Sequence, residues 1–240
     1  FAPGIGGLIQ MLLGWPSIFL IMSLLGLLLF LLVYRDLGET KIIKINKNKK
    51  SSVSYIYLFK EVKFWGYSLT LAFSAGTFFS FLGGTPYITT KVYDLNSVVS
   101  GLVMGFPAAG YFFGNYLSGR YSKLYGKDFM ALRGILLVIF GMFICLLITV
   151  FYRDTPYFFF GLCSFVGLGN GLIIPNASVG ILSVNENLSG TAGGIGNAIM
   201  IGTGAILASL TSYLLENQTS SYYLIIIMLL SGILSYTSFY

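Results

Sequence analysis

The side chains able to do chemistry are few in this chain, and their types favour binding over catalysis. There is no histidine, and all eight acidic residues fall in polar connections or at the ends of apolar segments. Cys145 and Cys163 lie inside apolar segments, which favours packing over a disulfide. Membrane enzymes depend on histidine or on acidic residues within the bilayer. We therefore expect no enzyme, no cofactor and no metal site.

Uncharged polar groups inside the apolar segments are the remaining candidates for a binding site. They are Thr77, Asn115, Asn170 and Asn197. A buried amide is costly unless it is hydrogen-bonded, so each either bonds a neighbouring helix or faces a wet cavity. Phe73 lies in the same aromatic-rich segment as Thr77 and would suit hydrophobic ligands. As substrate-cavity candidates we take Phe73, Thr77, Asn170 and Asn197, with packing as the alternative for each.

The segments that must position these groups are long enough to cross a bilayer as helices. About 20 helical residues span the hydrocarbon core. The chain is 56% hydrophobic and 9% charged, and it contains seven complete segments of this kind. They are Trp15–Tyr34, Phe64–Leu82, Ser97–Leu117, Phe129–Phe151, Pro156–Pro175, Thr191–Leu215 and Tyr222–Tyr240. The pattern predicts an all-α polytopic membrane protein. Phe1–Leu13 resembles the end of a further span, so we expect a piece of a longer protein.

The positive charge is distributed unevenly between the two sides of the predicted spans. Of fourteen lysines and arginines, eight lie between Arg35 and Lys63 and three between Arg120 and Lys127. This asymmetry predicts that residues 35–63, 118–128 and 176–190 are cytoplasmic. The lysine-rich residues 41–50 predict a mobile linker. The net charge of +6 does not indicate a nucleic-acid partner, because the pattern shows no soluble domain to carry it.

Glycines form ridges on two of the predicted helices. Gly101 and Gly105 are four residues apart in one span, and Gly190, Gly194 and Gly202 share a small-residue ridge in another. Small residues at this spacing let helix backbones approach closely in lipid. We take these five glycines as helix-packing residues. Their ridges serve either static packing or a surface that slides between two states.

Two motifs carry a resemblance to the major facilitator superfamily, within it the Bcr/CflA-type drug-resistance antiporters. The stretch Ala2-Pro3-Gly4-Ile5-Gly6-Gly7 resembles the family's fifth-helix antiporter signature, with Pro3, Gly6 and Gly7 as its motif residues. Gly119-Arg120-Tyr-Ser-Lys-Leu-Tyr-Gly126-Lys127 resembles the G-x-x-x-D-R-x-G-R loop between the eighth and ninth helices. There Gly119 and Gly126 match and Lys127 stands in for the final arginine, while Lys123 and Leu124 replace the acid and the first arginine. Arg120, at a free position of the pattern, is counted with Gly119, Gly126 and Lys127 as a motif residue.

Two shorter stretches extend the resemblance along the chain. Gly84–Tyr87 is similar to the subgroup's exit from the seventh helix, and Pro175–Ser178 to its loop between the tenth and eleventh helices. The resemblance implies two six-helix bundles. Residues 1–34 would be the last two helices of the first bundle, the earlier one partial. Residues 35–63 would be the cytoplasmic linker, and 64–240 the complete second bundle.

The resemblance also implies a function, which is alternating-access export of drugs or other small amphipathic compounds driven by proton entry. The proton-coupling groups of that family lie in the first and fourth helices, upstream of this sequence. The expected setting is a lipid bilayer, as in the inner (plasma) membrane of a bacterium. Alternatives are an exporter of a natural metabolite or siderophore, an uptake carrier, or a non-transporting membrane sensor or scaffold.

Overall fold

A computed structural model describes residues 12–36, 56–152, 154–216 and 218–240, together with Ile9. The chain divides into two compact units, residues 1–52 and residues 53–240. In the first unit, helix α1 (Pro16–Asp36) follows Gly14, whose φ of +80° suits glycine at the turn. The hydroxyl of Ser17 donates to the carbonyl of Gly14 at 2.5 Å and holds this start. Residues 37–55, with most of the predicted linker, lie outside the described part.

The second unit is a bundle of helices, and its described residues contain no strand. Helix α2 is a short turn before the bundle, and α4 is a short helix that leads into α5. In chain order the helices are α2 (Ile56–Lys60), α3 (Val62–Tyr87), α4 (Ser97–Val103), α5 (Gly105–Tyr125), α6 (Lys127–Phe151), α7 (Pro156–Ser183), α8 (Ser189–Leu215) and α9 (Tyr222–Phe239).

Five helices in the described part are long and apolar enough to cross a membrane. They are α1, α6, α7, α9 and α8 together with the 3₁₀ turn Glu186–Leu188 that precedes it. Helix α3 has 26 residues, but its serines, threonines and glycines make it less apolar. These helices confirm the prediction of an all-α, multi-pass integral membrane protein.

Helices α3 and α7 form the centre of the second unit. Helix α3 packs against α7, α8 and α9, while α7 also packs against α5 and α6. The hydrophobic core includes Phe81, Phe160 and Met142, which are almost fully buried. Cys145 and Cys163 are buried and unpaired, as expected of packing residues.

Several predicted connections are wrong, because the helices run further than the apolar segments. Helix α7 continues through Pro175 to Ser183, so much of the predicted loop 176–190 is helical. A proline removes one backbone hydrogen bond from a helix interior, and burial of the turns that follow offsets the loss. Ala177 and Ile181 are buried there, and Asn176 donates to the carbonyl of Leu172 at 2.7 Å.

The other connections are also shorter or differently built than the sequence suggests. The predicted loop 118–128 is a tight turn, because α5 ends at Tyr125 and α6 begins at Lys127. Helix α3 extends past Leu82 to Tyr87 and continues as a π-helical turn, Ile88–Val92. The predicted span Ser97–Leu117 is interrupted at Met104, where α4 ends and α5 begins.

Candidate functional site

A closed set of hydrogen bonds joins α3 to α7 at the middle of the bundle. The hydroxyl of Ser74 donates to Oδ1 of Asn170, whose Nδ2 donates to Oγ1 of Thr77 at 3.3 Å. Thr77 donates in turn to the carbonyl of Ser74 at 2.6 Å. Asn170 is 1% exposed and Thr77 fully buried. Of the two interpretations that the sequence leaves open, these contacts favour the interhelical bond for Asn170 and Thr77.

The four substrate-cavity candidates therefore separate into two groups. Thr77 and Asn170 are brought together, but their burial keeps both out of a ligand's reach in this conformation. Phe73 is half-buried on α3, and Asn197 is exposed on α8. A substrate contact at Phe73 or Asn197 stays a prediction.

A second polar joint, which the sequence analysis did not single out, ties α3 to α9. Ser231 Oγ donates to the carbonyl of Phe73 at 2.8 Å. Ser235 Oγ donates to the carbonyl of Thr70 at 3.1 Å, and Thr70 Oγ1 donates to the carbonyl of Ser235 at 3.4 Å. The signal in the sequence is Ser231 and Ser235, four residues apart on the last predicted span, together with Thr70 on the span that begins at Phe64. Neutral hydrogen bonds of this kind hold membrane helices together without a buried charge.

Glycines on facing helices allow close backbone contacts within the bundle. A Cβ built on Gly171 of α7 would lie 2.6 Å from the carbonyl oxygen of Tyr111 and 2.8 Å from the Cα of Gly114, both on α5. Between α6 and α7, a Cβ on Gly134 would lie 2.6 Å from the carbonyl oxygen of Gly169, and the reverse distance is the same. Any side chain at these positions would force the helix backbones apart.

The five glycines predicted for packing do not make such contacts in this unit. A Cβ at any of them would have no described heavy atom of a neighbour within 4 Å. Helix α8 instead packs through Gly196, whose Cβ would lie 2.8 Å from Ile181, and through Gly204 against Phe79. Small residues occupy adjacent ridges of α8, so spacing alone could not choose between them. Helix packing through Gly101, Gly105, Gly190, Gly194 and Gly202 stays a prediction for contacts outside the described unit.

The hairpin between α5 and α6 contains the second predicted motif. Gly126 makes the turn with a φ of +86°, a conformation that favours glycine. Lys127 Nζ donates to Ser183 Oγ at 2.6 Å and lies 5.3 Å from the ring centroid of Tyr67. Tyr67 in turn donates to Oδ1 of Asp128 at 2.6 Å. The start of α6 is thereby joined to α3 and to the end of α7.

The other motif residues are not part of this joint. Arg120 donates from Nη1 to the hydroxyl of Tyr116 at 3.2 Å, and Gly119 has no described neighbour within 4 Å of a built Cβ. Pro3, Gly6 and Gly7 lie outside the described residues. The conformational role of all the motif residues stays a prediction.

At the opposite end of the bundle, Asp154 joins several connecting segments through hydrogen bonds. Its role could not be predicted from the sequence. Its carboxylate accepts from the hydroxyl of Tyr93, from Ser220 Oγ at 2.8 Å, and from Ser221 N and Oγ at 2.9 and 2.8 Å. Burial acts to raise the pKa of Asp154, but the hydrogen bonds outweigh it and lower the pKa below its ordinary value. The sequence signal was an acid in a short connection between two spans. Asp154 therefore stays ionised and joins three connections.

Comparison with known proteins agrees with this helical architecture. The chain is 30% identical over 130 residues to an uncharacterized MFS-type transporter, YdgK, of Bacillus subtilis, covering 51% of this chain and 32% of that protein. It is 27% identical over 216 residues to a bicyclomycin resistance protein homolog of Haemophilus influenzae, covering 88% of this chain and 54% of that protein. The chain thus spans about a third and about half of these relatives' lengths.

The family model for the Major Facilitator Superfamily matches residues 1–209, which is most of the chain. The match covers the first unit and the second unit as far as residue 209, which lies within α8. The family is one of membrane transporters rather than enzymes, and the membrane-spanning helices agree with it. This multi-pass membrane protein belongs to the Major Facilitator Superfamily.

Proposed function

We propose that this chain is part of a secondary active transporter that exports drugs or other small amphipathic compounds by alternating access, coupled to proton entry. The similarity to the Haemophilus influenzae relative named for bicyclomycin resistance supports this substrate class. Both relatives are bacterial, which supports a place in a bacterial inner membrane. The domain assignment made from the sequence, with 64–240 as the second six-helix half, is part of the same proposal.

The observation that carries the proposal is the uncharged interior of the second unit. Its central helices are joined by neutral hydrogen bonds, such as that between Asn170 and Thr77. The acidic residues of the described part lie in connections or within a turn of a helix end: Asp36, Glu61, Asp94, Asp128, Asp154, Glu186 and Glu216. An uncharged wall suits amphipathic ligands and gives them little specific hydrogen bonding. Proton coupling would then use groups outside this unit.

Helix α8 presents a further feature that fits alternating access. Gly190, Gly194 and Asn197 are exposed, whereas Gly196 and Gly204 on an adjoining face are buried against neighbouring helices. A transporter that rocks between two states needs a surface that is free to change its partner. The open face of α8 meets that need, because packing inside the unit does not use it.

A pair of glycine substitutions tests this function. We would express the full-length transporter that contains this chain in an efflux-deficient bacterium and measure resistance to bicyclomycin and to cationic dyes, together with substrate-induced proton release from everted vesicles. Gly194→Leu should leave the amount of folded protein unchanged and lower resistance at least fourfold. Gly196→Leu should reduce the folded protein itself, because Ile181 occupies the space that the leucine would need.

Three results would contradict the proposal. Expression of the protein without any gain in resistance or any proton movement would exclude the proposed substrate class. Resistance without proton release would exclude the coupling. Full transport by Gly194→Leu would exclude a moving contact on the open face of α8.

A further inference from the structure

A row of aromatic rings with an arginine at each end follows the hairpin between α5 and α6. The guanidinium of Arg120 lies 5.8 Å from the centroid of Tyr121, whose ring is 6.2 Å from that of Tyr125. Across the turn, the centroids of Tyr125 and Phe129 are 5.5 Å apart, and Arg133 lies 4.9 Å from the centroid of Phe129. We call these five residues the arginine–aromatic arc.

The arc is an exposed surface that carries positive charge. Tyr125 is 60% exposed and Phe129 41%, and both arginines are exposed. Lys123, on the last turn of α5, is exposed beside them. The acid of the hairpin, Asp128, is also exposed, but its Oδ1 accepts a hydrogen bond from Tyr67 of α3. The arc therefore offers cations and ring surface together.

One end of the arc continues into the exposed apolar face of α6. Exposed residues recur along this helix at alternating spacings of four and three, which keeps them on one face: Phe129, Arg133, Leu136, Phe140, Phe143, Leu147 and Val150. Because α6 is long and apolar enough to cross a membrane, this face meets lipid chains.

Arg133 lies on that lipid-facing stripe, about 9 Å along the axis from the first residue of the helix. A cation at this depth is costly without a counter-charge. Helical side chains lean toward the N-terminus, and the guanidinium lies over Phe129, one turn nearer the helix start. It is thus directed to the level at which lipid headgroups begin.

We propose that the arginine–aromatic arc binds the phosphate of an anionic phospholipid, whose acyl chains lie along the exposed stripe of α6. Arginine binds phosphate through a planar fork of donors, and aromatic rings settle at the headgroup level. Basic pockets between membrane helices recognise anionic headgroups. A soluble phosphate would explain the cations but not the apolar stripe on the same face as Arg133. The amphipathic surface therefore points to a lipid.

Lipid titration followed by native mass spectrometry tests the site. Delipidated protein would be titrated in detergent with phosphatidylglycerol, or with phosphatidylcholine of the same chains. Arg120→Gln/Arg133→Gln should raise the phosphatidylglycerol concentration for half-occupancy at least about tenfold and leave phosphatidylcholine unchanged. The matched control is Lys60→Gln/Lys63→Gln, which removes the same charge from exposed residues around the start of α3 and should change neither lipid.

Three outcomes would overturn the proposal. The first is an equal loss of phosphatidylglycerol affinity in the Lys60→Gln/Lys63→Gln control, which would show that only the overall charge matters. The second is displacement of the lipid by millimolar inorganic phosphate, which would make this a soluble-anion site. The third is unchanged affinity in the arginine variant. Should that variant aggregate, Arg120→Lys/Arg133→Lys keeps the charge but loses the planar fork. This lysine variant should bind phosphatidylglycerol about threefold more weakly, and an unchanged affinity would refute the site.

Discussion

Gly114 and Gly171 meet backbone to backbone where α5 crosses α7. A Cβ built on Gly114 would lie 2.9 Å from the Cα of Gly171, and a Cβ on Gly171 would lie 2.8 Å from the Cα of Gly114. Because neither glycine has a side chain, the backbone of each helix fits into the space beside the other. In lipid, where apolar burial does not drive helix association, such close contact supplies the dispersion energy that holds helices together.

Gly171→Ala should destabilise the bundle by about 1–3 kcal/mol, because the new methyl group must displace backbone atoms of α5. The measurement is the thermal unfolding midpoint of the purified protein in detergent. Gly119→Ala on α5 is the control, since a Cβ there meets open space. Equal midpoints for the two variants would show that this helix crossing is looser than the distances indicate.

Asn170→Ala should cost about 0.5–2 kcal/mol, because it removes two hydrogen bonds and leaves the buried Ser74 and Thr77 hydroxyls with one partner fewer. Chemical unfolding monitored by tryptophan fluorescence measures this difference. Asn115→Ala is the matched control, since its amide donates to the carbonyl of Tyr111 on its own helix. A larger effect in the control would place the important amide elsewhere.

Asp154→Asn should lower the unfolding midpoint by several degrees, because a neutral amide is a weaker acceptor for Tyr93, Ser220 and Ser221. Glu216→Gln, an exposed change at the end of α8, is the charge-matched control. The two variants unfolding alike would contradict the role of Asp154 in joining the connections.

The stability that Asp154 provides should depend on pH in one direction. The folded-state pKa lies below the ordinary value of 3.8, so the stabilisation is fully present well above that value and is lost as the pH falls through the folded pKa. Unfolding midpoints of the parent protein and Asp154→Asn should therefore converge as the pH falls below 3.8. A gap that stays constant over that range would show that the lowered pKa is not the cause.

Single cysteines at Asn187 and Glu216 should react from opposite sides of the membrane, because these exposed residues flank the two ends of α8. In a background with Cys145→Ala and Cys163→Ala, an impermeant thiol reagent added to intact cells should label position 216 and spare position 187. The lysine and arginine asymmetry predicts that position 187 is cytoplasmic. The reverse pattern would invert the topology.

The sequence allowed the helices to be predicted but not the faces through which they pack. Apolar length is enough to locate α6 and α9 to within about two residues at each end. The end of α7 is missed, because a proline such as Pro175 usually stops a helix and only the tertiary contacts of Asn176 and Ile181 carry it onward. Burial of the turns beyond a proline cannot be read from local composition.

The candidate site shows the same limit at the level of single residues. Asn170 and Thr77 are recognisable as costly groups in an apolar span, but their mutual bond depends on how α3 and α7 pack. On α8, Gly194 and Gly196 lie two residues apart in one small-residue segment, yet Gly196 is buried and Gly194 exposed. From the sequence alone Asp154 is one more charge in a loop, because its partners come from connections distant in the chain.

The central position of α7 has a consequence for how the protein is made. Helices α5 and α6 both pack their glycines against α7, which follows them in the chain. During synthesis these two helices enter the bilayer before their main partner exists, so their narrow contact surfaces face lipid or the insertion machinery until Ser183 has emerged. A ribosome pause within α7 would thus leave α5 and α6 unassembled, with their glycine faces open to quality-control proteases and to the wrong helices.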